Sequence, residues 1–88
     1  MNVIELKILT SHFDPALKIA LDQDPIVPIT RITLDHDGFQ FISQAGHEPL
    51  DLATLKHQTR ELKGQPTLFY QGQRLFGFRH SQKWLLFK

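Results

Sequence analysis

The sequence predicts a single α+β domain, residues 1–88, with the element order β-α-β-β-α-β-β-β. Three observations support this class: short β-rich runs, two capping residues that each precede an apolar stripe, and turn residues between the runs. We expect a mostly antiparallel sheet, two helices on one of its faces, and a C-terminal three-stranded meander.

Composition sets the broad class of the protein. The 88 residues are 41% hydrophobic and 22% charged, which is enough apolar material for one core and argues against disorder. No apolar run approaches the ~20 residues of a membrane span, and no leader-like segment follows Met1, so we expect a cytoplasmic protein without a membrane partner. The chain has no cysteine, which excludes disulfides and thiolate chemistry.

The first half predicts a strand, a helix and a hairpin. Asn2–Leu9 alternates between apolar and polar residues, as a half-buried strand does. Asp14 followed by Pro15 is typical of a helix start, and we expect that helix to end near Gln23 because prolines follow. Two β-rich runs, Ile29–Leu34 and Phe39–Ser43, then flank the turn sequence Asp35-His36-Asp37-Gly38.

The second half predicts a helix followed by three strands. Asp51 is a suitable cap for a helix whose narrow apolar stripe is closed by Gly64; the stripe consists of Leu52, Leu55, Thr59 and Leu62. The three strands are Thr67–Tyr70, Gln73–His80 and Lys83–Phe87, joined by two-residue turns at Gln71-Gly72 and Ser81-Gln82. The order suggests two loosely similar helix-plus-hairpin units, although no residue-level repeat is evident.

The C-terminal meander carries the strongest compositional signal. Residues 62–88 hold six of the nine aromatic residues and five bases, with no Asp or Glu. With two-residue turns, one face of the meander gathers Phe69, Phe76, Phe78, Leu85 and Phe87, and we expect this face to pack in the core. The opposite face, with Trp84 and with Arg79 directly across from it, is expected to be partly exposed and to permit a cation-π contact.

These observations favour a non-catalytic interaction module with no cofactor and no metal. A sheet covered on one face leaves apolar groups exposed on the other, and such patches often mark protein interfaces. We expect a protein partner or self-association, and the expected binding residues are Tyr70, Arg79, Trp84, Lys88, Leu75 and Leu86.

Single-stranded nucleic-acid binding by the same basic and aromatic face is the first alternative. Residues 74–78 partly resemble the RNP1 signature of RNA recognition motif domains, in which sheet aromatics stack on bases. The resemblance fails at Leu75, which replaces a glycine, and at Arg79, which replaces a valine. The segment also follows the second helix instead of preceding it, so we assign no family.

A small enzyme or metal protein is the second alternative. The five histidines (His12, His36, His47, His57 and His80) show no metal-binding spacing, so only folding could bring them together. The run that begins at Thr33 superficially matches a calcium loop, but Thr33 and Gln44 stand where the first and last ligands belong. Turn chemistry accounts better for Asp35 and Asp37.

Overall fold

The computed structural model describes residues 1–60 and 66–88, and it confirms the α+β class. Within these residues, two helices, α1 (Val3–Leu9) and α2 (Leu52–Thr59), accompany eight short strands. The strands are β1 (Lys18–Leu21), β2 (Val27–Pro28), β3 (Arg31–Leu34), β4 (Gly38–Ile42), β5 (Thr67–Tyr70), β6 (Gln73–Arg74), β7 (Phe78–Ser81) and β8 (Trp84–Phe87).

The strands form two mixed four-stranded sheets, not the one sheet that we predicted. One has the order β2-β1-β8-β7 and the other β3-β4-β5-β6. Consecutive strands within each hairpin pair antiparallel, whereas β1 pairs with β8 and β4 with β5 in parallel. The parallel pairs join distant parts of the chain, and turn chemistry carries no information about them.

The two sheets are joined at both edges, because β2 leads into β3 and β6 leads into β7. The Ile29 amide donates to the carbonyl of Ile19 in β1, which belongs to the same sheet as β2. The next amide, that of Thr30, donates to the carbonyl of Ile42 in β4, which belongs to the other sheet. At the other edge, the amide of Leu75 donates to Leu68 and that of Phe76 to Lys88. Successive amides therefore bond to strands of different sheets, and each bent strand closes the sheets around a shared core.

The first two elements differ from the prediction, and the first of them is a helix. In residues 2–9, the Asn2 side chain accepts a hydrogen bond from the Glu5 amide at 2.9 Å and caps α1. Val3 and Leu6 are buried, while Ile4 and Ile8 face solvent. The apolar residues at positions 4, 6 and 8 fit the strand period, whereas the pairs 3 with 6 and 4 with 8 fit the helix period, so the alternation alone does not distinguish a strand from a helix.

The second predicted element, a helix from Asp14, is a turn followed by strand β1. The Asp14 carboxylate accepts the Ala16 amide at 2.8 Å, and the Asp14 carbonyl accepts the Leu17 amide at 3.2 Å. Aspartate therefore makes a local turn here instead of a helix cap. The chain then continues as strand β1, in which Ile19 and Leu21 are buried, and Leu17 just before it is buried as well.

The central hairpin and the start of the second helix are confirmed. The Asp35 carboxylate accepts hydrogen bonds from the amides of Asp37 and Gly38 and holds the turn between β3 and β4. The Asp51 carboxylate accepts the Thr54 amide at 2.7 Å and caps α2. Leu62 and Gly64, predicted for the end of this helix, lie outside the described residues.

The C-terminal meander is divided between the two sheets. Opposite Lys88 the chain has one extra residue, since the amides of Phe76 and Gly77 both donate to the Lys88 carbonyl, at 2.7 and 3.1 Å. This is a β-bulge, and it turns both Leu75 and Phe78 inward. Phe76, predicted for the core, is 77% exposed.

The remaining positions of the predicted core face give a mixed result. Leu85 and Phe87 are buried, and Phe78 packs against the core, as predicted. In β5 it is Leu68 that is buried, and Phe69 is only half-buried on the other face. The prediction placed the wrong face of β5 in the core, because it continued the same alternation of inward and outward residues through the bulge.

Of the two predicted turns, Gln71-Gly72 is confirmed, with φ values of 49° and 77° that suit a tight hairpin. The second turn lies one residue later than predicted, at Gln82 and Lys83, because Ser81 pairs with Trp84. In this register Arg79 lies opposite Leu86 and not opposite Trp84.

The described part of the chain is built from two α-β-β-β-β units with the same internal contacts. Most residues of the first unit have an equivalent in the second. For residues 1–11 and 17–21 the equivalent residue has a number higher by 49, and for residues 27–42 it has a number higher by 46. The parallel pair of Ile19 with Leu85, for example, is repeated by Leu68 with Phe39. The hydrogen bond from the Val3 amide to Pro66 is repeated by one from Leu52 to Leu17.

The two units share a core, and each of the contacts just described crosses between them. Buried residues of both helices and both sheets belong to one apolar cluster. At its centre the rings of Phe41 and Phe87, which are equivalent residues of the two units, meet edge to face with centroids 5.2 Å apart. No helix within the described residues is both long enough and apolar enough to cross a membrane.

Candidate functional site

The binding surface predicted around Trp84 offers less apolar area than expected. Leu75 is 5% exposed and Leu86 is 3% exposed, so neither can present its side chain to a partner. Trp84 is half-buried and lies beside Lys18, its neighbour in the parallel pair of β1 and β8. Trp84 thus keeps some accessible surface, but the expected leucines around it do not contribute.

Arg79, another predicted binding residue, forms an ion pair. Its Nε and Nη2 donate to the two carboxylate oxygens of Asp22 at 2.8 and 3.0 Å. The guanidinium holds the pKa of the Asp22 carboxyl below its usual range, with a smaller contribution from Lys88, and the carboxylate raises the pKa of Arg79. The expected contact of Arg79 with the Trp84 ring is replaced by this pair.

Tyr70 and Lys88, the last two predicted residues, line a groove that the sequence did not reveal. The groove has a volume of about 270 Å³ and lies where the ends of β1 and β8 meet the turn between β5 and β6. Its floor is apolar, because Leu21, Leu75 and Phe87 belong to the core. We call it the Arg74 groove, and its wall residues are Asp22, Gln23, Tyr70, Gln73, Arg74, Phe76 and Lys88.

A second surface lies on α1, where three aliphatic side chains face solvent. Ile4 is 41% exposed, Ile8 68% and Leu9 55%, and we call these three residues the α1 patch. The sequence did not reveal this patch, because the alternation in Asn2–Leu9 predicts a strand with Ile4 and Ile8 on its inner side. Clustered exposed aliphatic side chains are a recognised mark of interaction sites.

The histidines give no convergent site within residues 1–60 and 66–88. The one group of three potential metal ligands in this part of the chain is Asp35, His36 and Asp37, and all three are exposed. They line a shallow depression of about 350 Å³, but the Asp35 carboxylate is already engaged by the turn amides. Because this segment is a tight hairpin, it does not form the long ligand loop of a calcium site.

Similarity to known proteins gives no further information about these surfaces. No protein-family model, no curated protein and no solved structure matches the chain. The functional interpretation therefore depends on the α1 patch, the Arg74 groove and the remaining exposed surface of Trp84.

Proposed function

We propose that this protein is a non-catalytic interaction module that self-associates through the α1 patch. The partner at this patch is a second copy of the chain. The proposal keeps the interaction role expected from the sequence but moves its centre from the sheet face around Trp84 to the outer side of α1.

The observation that carries this proposal is the difference between the two helices. They occupy equivalent places in the two units, so the fold makes the same demands on both. The residues of α2 equivalent to the α1 patch are exposed, and they are Ala53, His57 and Gln58. The fold therefore tolerates small or polar residues on the outer face of this helix, and it does not explain why α1 exposes aliphatic side chains there.

A second copy suits this surface because a two-fold axis makes it self-complementary. Two antiparallel α1 helices would bring Ile4 of one copy against Ile8 of the other. Glu5 lies in the first turn and exposed His12 lies just beyond the last, so each acid would approach the imidazole of the opposite copy. The dipoles of the two helices would be antiparallel, which is electrostatically favourable. The α1 patch consists of three residues, far fewer than the roughly 20–30 residues that each partner contributes to a standard interface, so we expect weak, micromolar association.

Sedimentation velocity over a series of protein concentrations tests the proposal. The wild type should sediment faster as concentration rises into the high micromolar range. Ile8→Glu should stay monomeric throughout, because it places a charge in the middle of the patch. A wild type that is monomeric at every concentration would overturn the proposal.

His57→Glu is the matched control, since His57 occupies the position in α2 equivalent to Ile8 and is also exposed. It changes the charge in the same way and should associate like the wild type. Trp84→Ala tests the surface predicted from the sequence. Association like that of the wild type supports the α1 patch, whereas loss of association in this variant alone would show that the interface lies around Trp84.

A further inference from the structure

The Arg74 groove combines an apolar floor, a positively charged wall and an exposed aromatic ring. The floor residues Leu21, Leu75 and Phe87 are almost fully buried, so they give the groove a fixed shape but offer little apolar surface to a ligand. The exposed ring and the polar groups of the wall are therefore the parts of the groove that a ligand contacts. These properties together restrict the class of ligand that the groove can take.

The wall of the groove carries an excess of positive charge. Its one carboxylate, Asp22, is bonded through both oxygens to Arg79. Arg74 and Lys88 are exposed, and neither forms a salt bridge within the described residues. With the Asp22 carboxylate and the Arg79 guanidinium paired, the side chains of Arg74 and Lys88 remain as two cations that an anion could contact.

The exposed ring of Phe76 projects from a backbone segment that is fixed by hydrogen bonds. The amides of Phe76 and Gly77 are both bonded to the Lys88 carbonyl, so the bulge sets the direction of the Cα–Cβ bond that carries the ring. Tyr70, half-buried and packed against the core, supplies a second ring to the groove wall. Accessible aromatic side chains provide stacking surfaces for bases.

The other unit shows that the fold does not need these side chains. The residues equivalent to Arg74, Phe76 and Lys88 are Pro28, Thr30 and Ile42, which include no charge and no aromatic ring. Thr30 uses its hydroxyl to bond the Ile42 carbonyl, which is a purely structural role. The same strand bend is thus built twice, once with ordinary residues and once with two cations and an exposed phenylalanine.

We propose that the Arg74 groove binds a nucleotide unit. Its phosphate lies between Arg74 and Lys88, and its base stacks on Phe76. Arginine provides a forked pair of donors to phosphate oxygens, and lysine provides a point charge. At about 270 Å³ the groove suits one unit at a time. The nucleotide is either free or part of a single strand, and this site is independent of the α1 patch.

Two probes distinguish a free nucleotide from a nucleotide within a single strand. AMP is titrated by isothermal calorimetry, and a fluorescein-labelled single strand of about ten nucleotides is titrated by fluorescence anisotropy, both at low salt. Binding of the strand alone assigns the site to single-stranded nucleic acid, and binding of AMP as well assigns it to free nucleotides. Absence of binding of either probe by high-micromolar protein would overturn the proposal.

Variants locate the site. Phe76→Ala should weaken binding by roughly 5- to 150-fold, the usual effect of losing one stacked base. Arg74→Gln should weaken it and should lower the salt-dependence slope for the strand by about 0.7. The matched controls, Leu34→Ala and Arg31→Gln, change an exposed aliphatic and an exposed arginine of the other unit. Binding that is unaffected by Phe76→Ala and Arg74→Gln would show that the ligand lies elsewhere.

Discussion

The Nζ of Lys7 donates a 2.9 Å hydrogen bond to the backbone carbonyl of Thr59, at the end of the opposite helix. The equivalent lysine, Lys56, donates to the carbonyl of Thr10 at the same distance. Carbonyls at the end of a helix have no partner within it, and a positive charge there also favours the helix dipole. Each unit therefore completes the helix of the other.

We predict that Lys7→Met and Lys56→Met each lower the free energy of unfolding by about 1.5 kcal/mol, the low end for a hydrogen bond from a charged group, because both lysines are only half-buried. The two losses should be similar because the two contacts are equivalent. Urea unfolding followed by circular dichroism measures both.

Lys83→Met is the control for these variants. Lys83 is exposed in the turn between β7 and β8, so its substitution should change stability by less than about 0.5 kcal/mol. If Lys7→Met destabilises the protein no more than Lys83→Met does, the reciprocal capping contributes nothing measurable.

We predict a large loss of stability for Gly38→Ala. Gly38 has φ near 145°, and a Cβ at this position would collide with the carbonyl oxygen of Thr67 in the neighbouring strand β5. Backbone cannot move aside as a flexible side chain can, so we expect a loss of about 3 kcal/mol or more. Thermal unfolding of the purified variant measures it.

Gly77→Ala is the matched control for this prediction. A Cβ on Gly77 would meet nothing within 4 Å, and this glycine does not need a positive φ. It should unfold within a few degrees of the wild type. Equal melting temperatures for the two alanine variants would contradict the close approach of Gly38 to β5.

We predict that the cap of α2 makes stability depend on pH. The hydrogen bond from the Thr54 amide lowers the pKa of Asp51, so the folded state favours the ionised carboxylate. Its contribution is complete above the pKa of the unfolded chain, about 4, and is lost as pH falls through the lower folded-state pKa. Asp51→Ala should cost about 1 kcal/mol at neutral pH and less in acid.

The other helix provides the controls for this pH effect. Asp51→Asn keeps a capping side chain but has no proton to gain, so it should remove the effect while stability near neutrality stays close to that of the wild type. Asn2→Asp should introduce the same pH effect into α1, because Asn2 makes the equivalent cap. Parallel urea titrations at neutral and acidic pH measure these differences. A loss of stability in acid that is the same in the wild type and Asp51→Asn would exclude this carboxylate as its source.

The elements that the sequence predicted correctly are those fixed by local chemistry. Asp51 caps a helix, Asp35 holds a turn, and Gln71-Gly72 forms a tight hairpin, all through contacts within a few residues. Asp14 has the same cap-like setting as Asp51 but makes a turn, because the chain after it is needed as β1 between β2 and β8. That choice depends on distant strands, and no local pattern contains it.

The candidate sites were harder to predict for a related reason. The bulge at Phe76 and Gly77 depends on the carbonyl of Lys88, so alternation along the strand alone placed Phe76 inside. The repeat was hidden because equivalent positions conserve burial more than identity: Ile29 matches Leu75, and both are buried. Only a few equivalent pairs are identical, such as Leu6 with Leu55 and Thr10 with Thr59.

The repeated architecture has a consequence for chain connectivity. Residues 43–49 bridge Ile42 to Leu50, and the residues equivalent to this pair are Lys88 and Met1. The amide of Leu50 donates to Ile29 just as the terminal nitrogen of Met1 donates to Leu75. A bridge of the same seven residues would therefore span Lys88 to Met1 equally well. A circular permutant opened within 43–49 would exchange the order of the halves and retain every strand pairing.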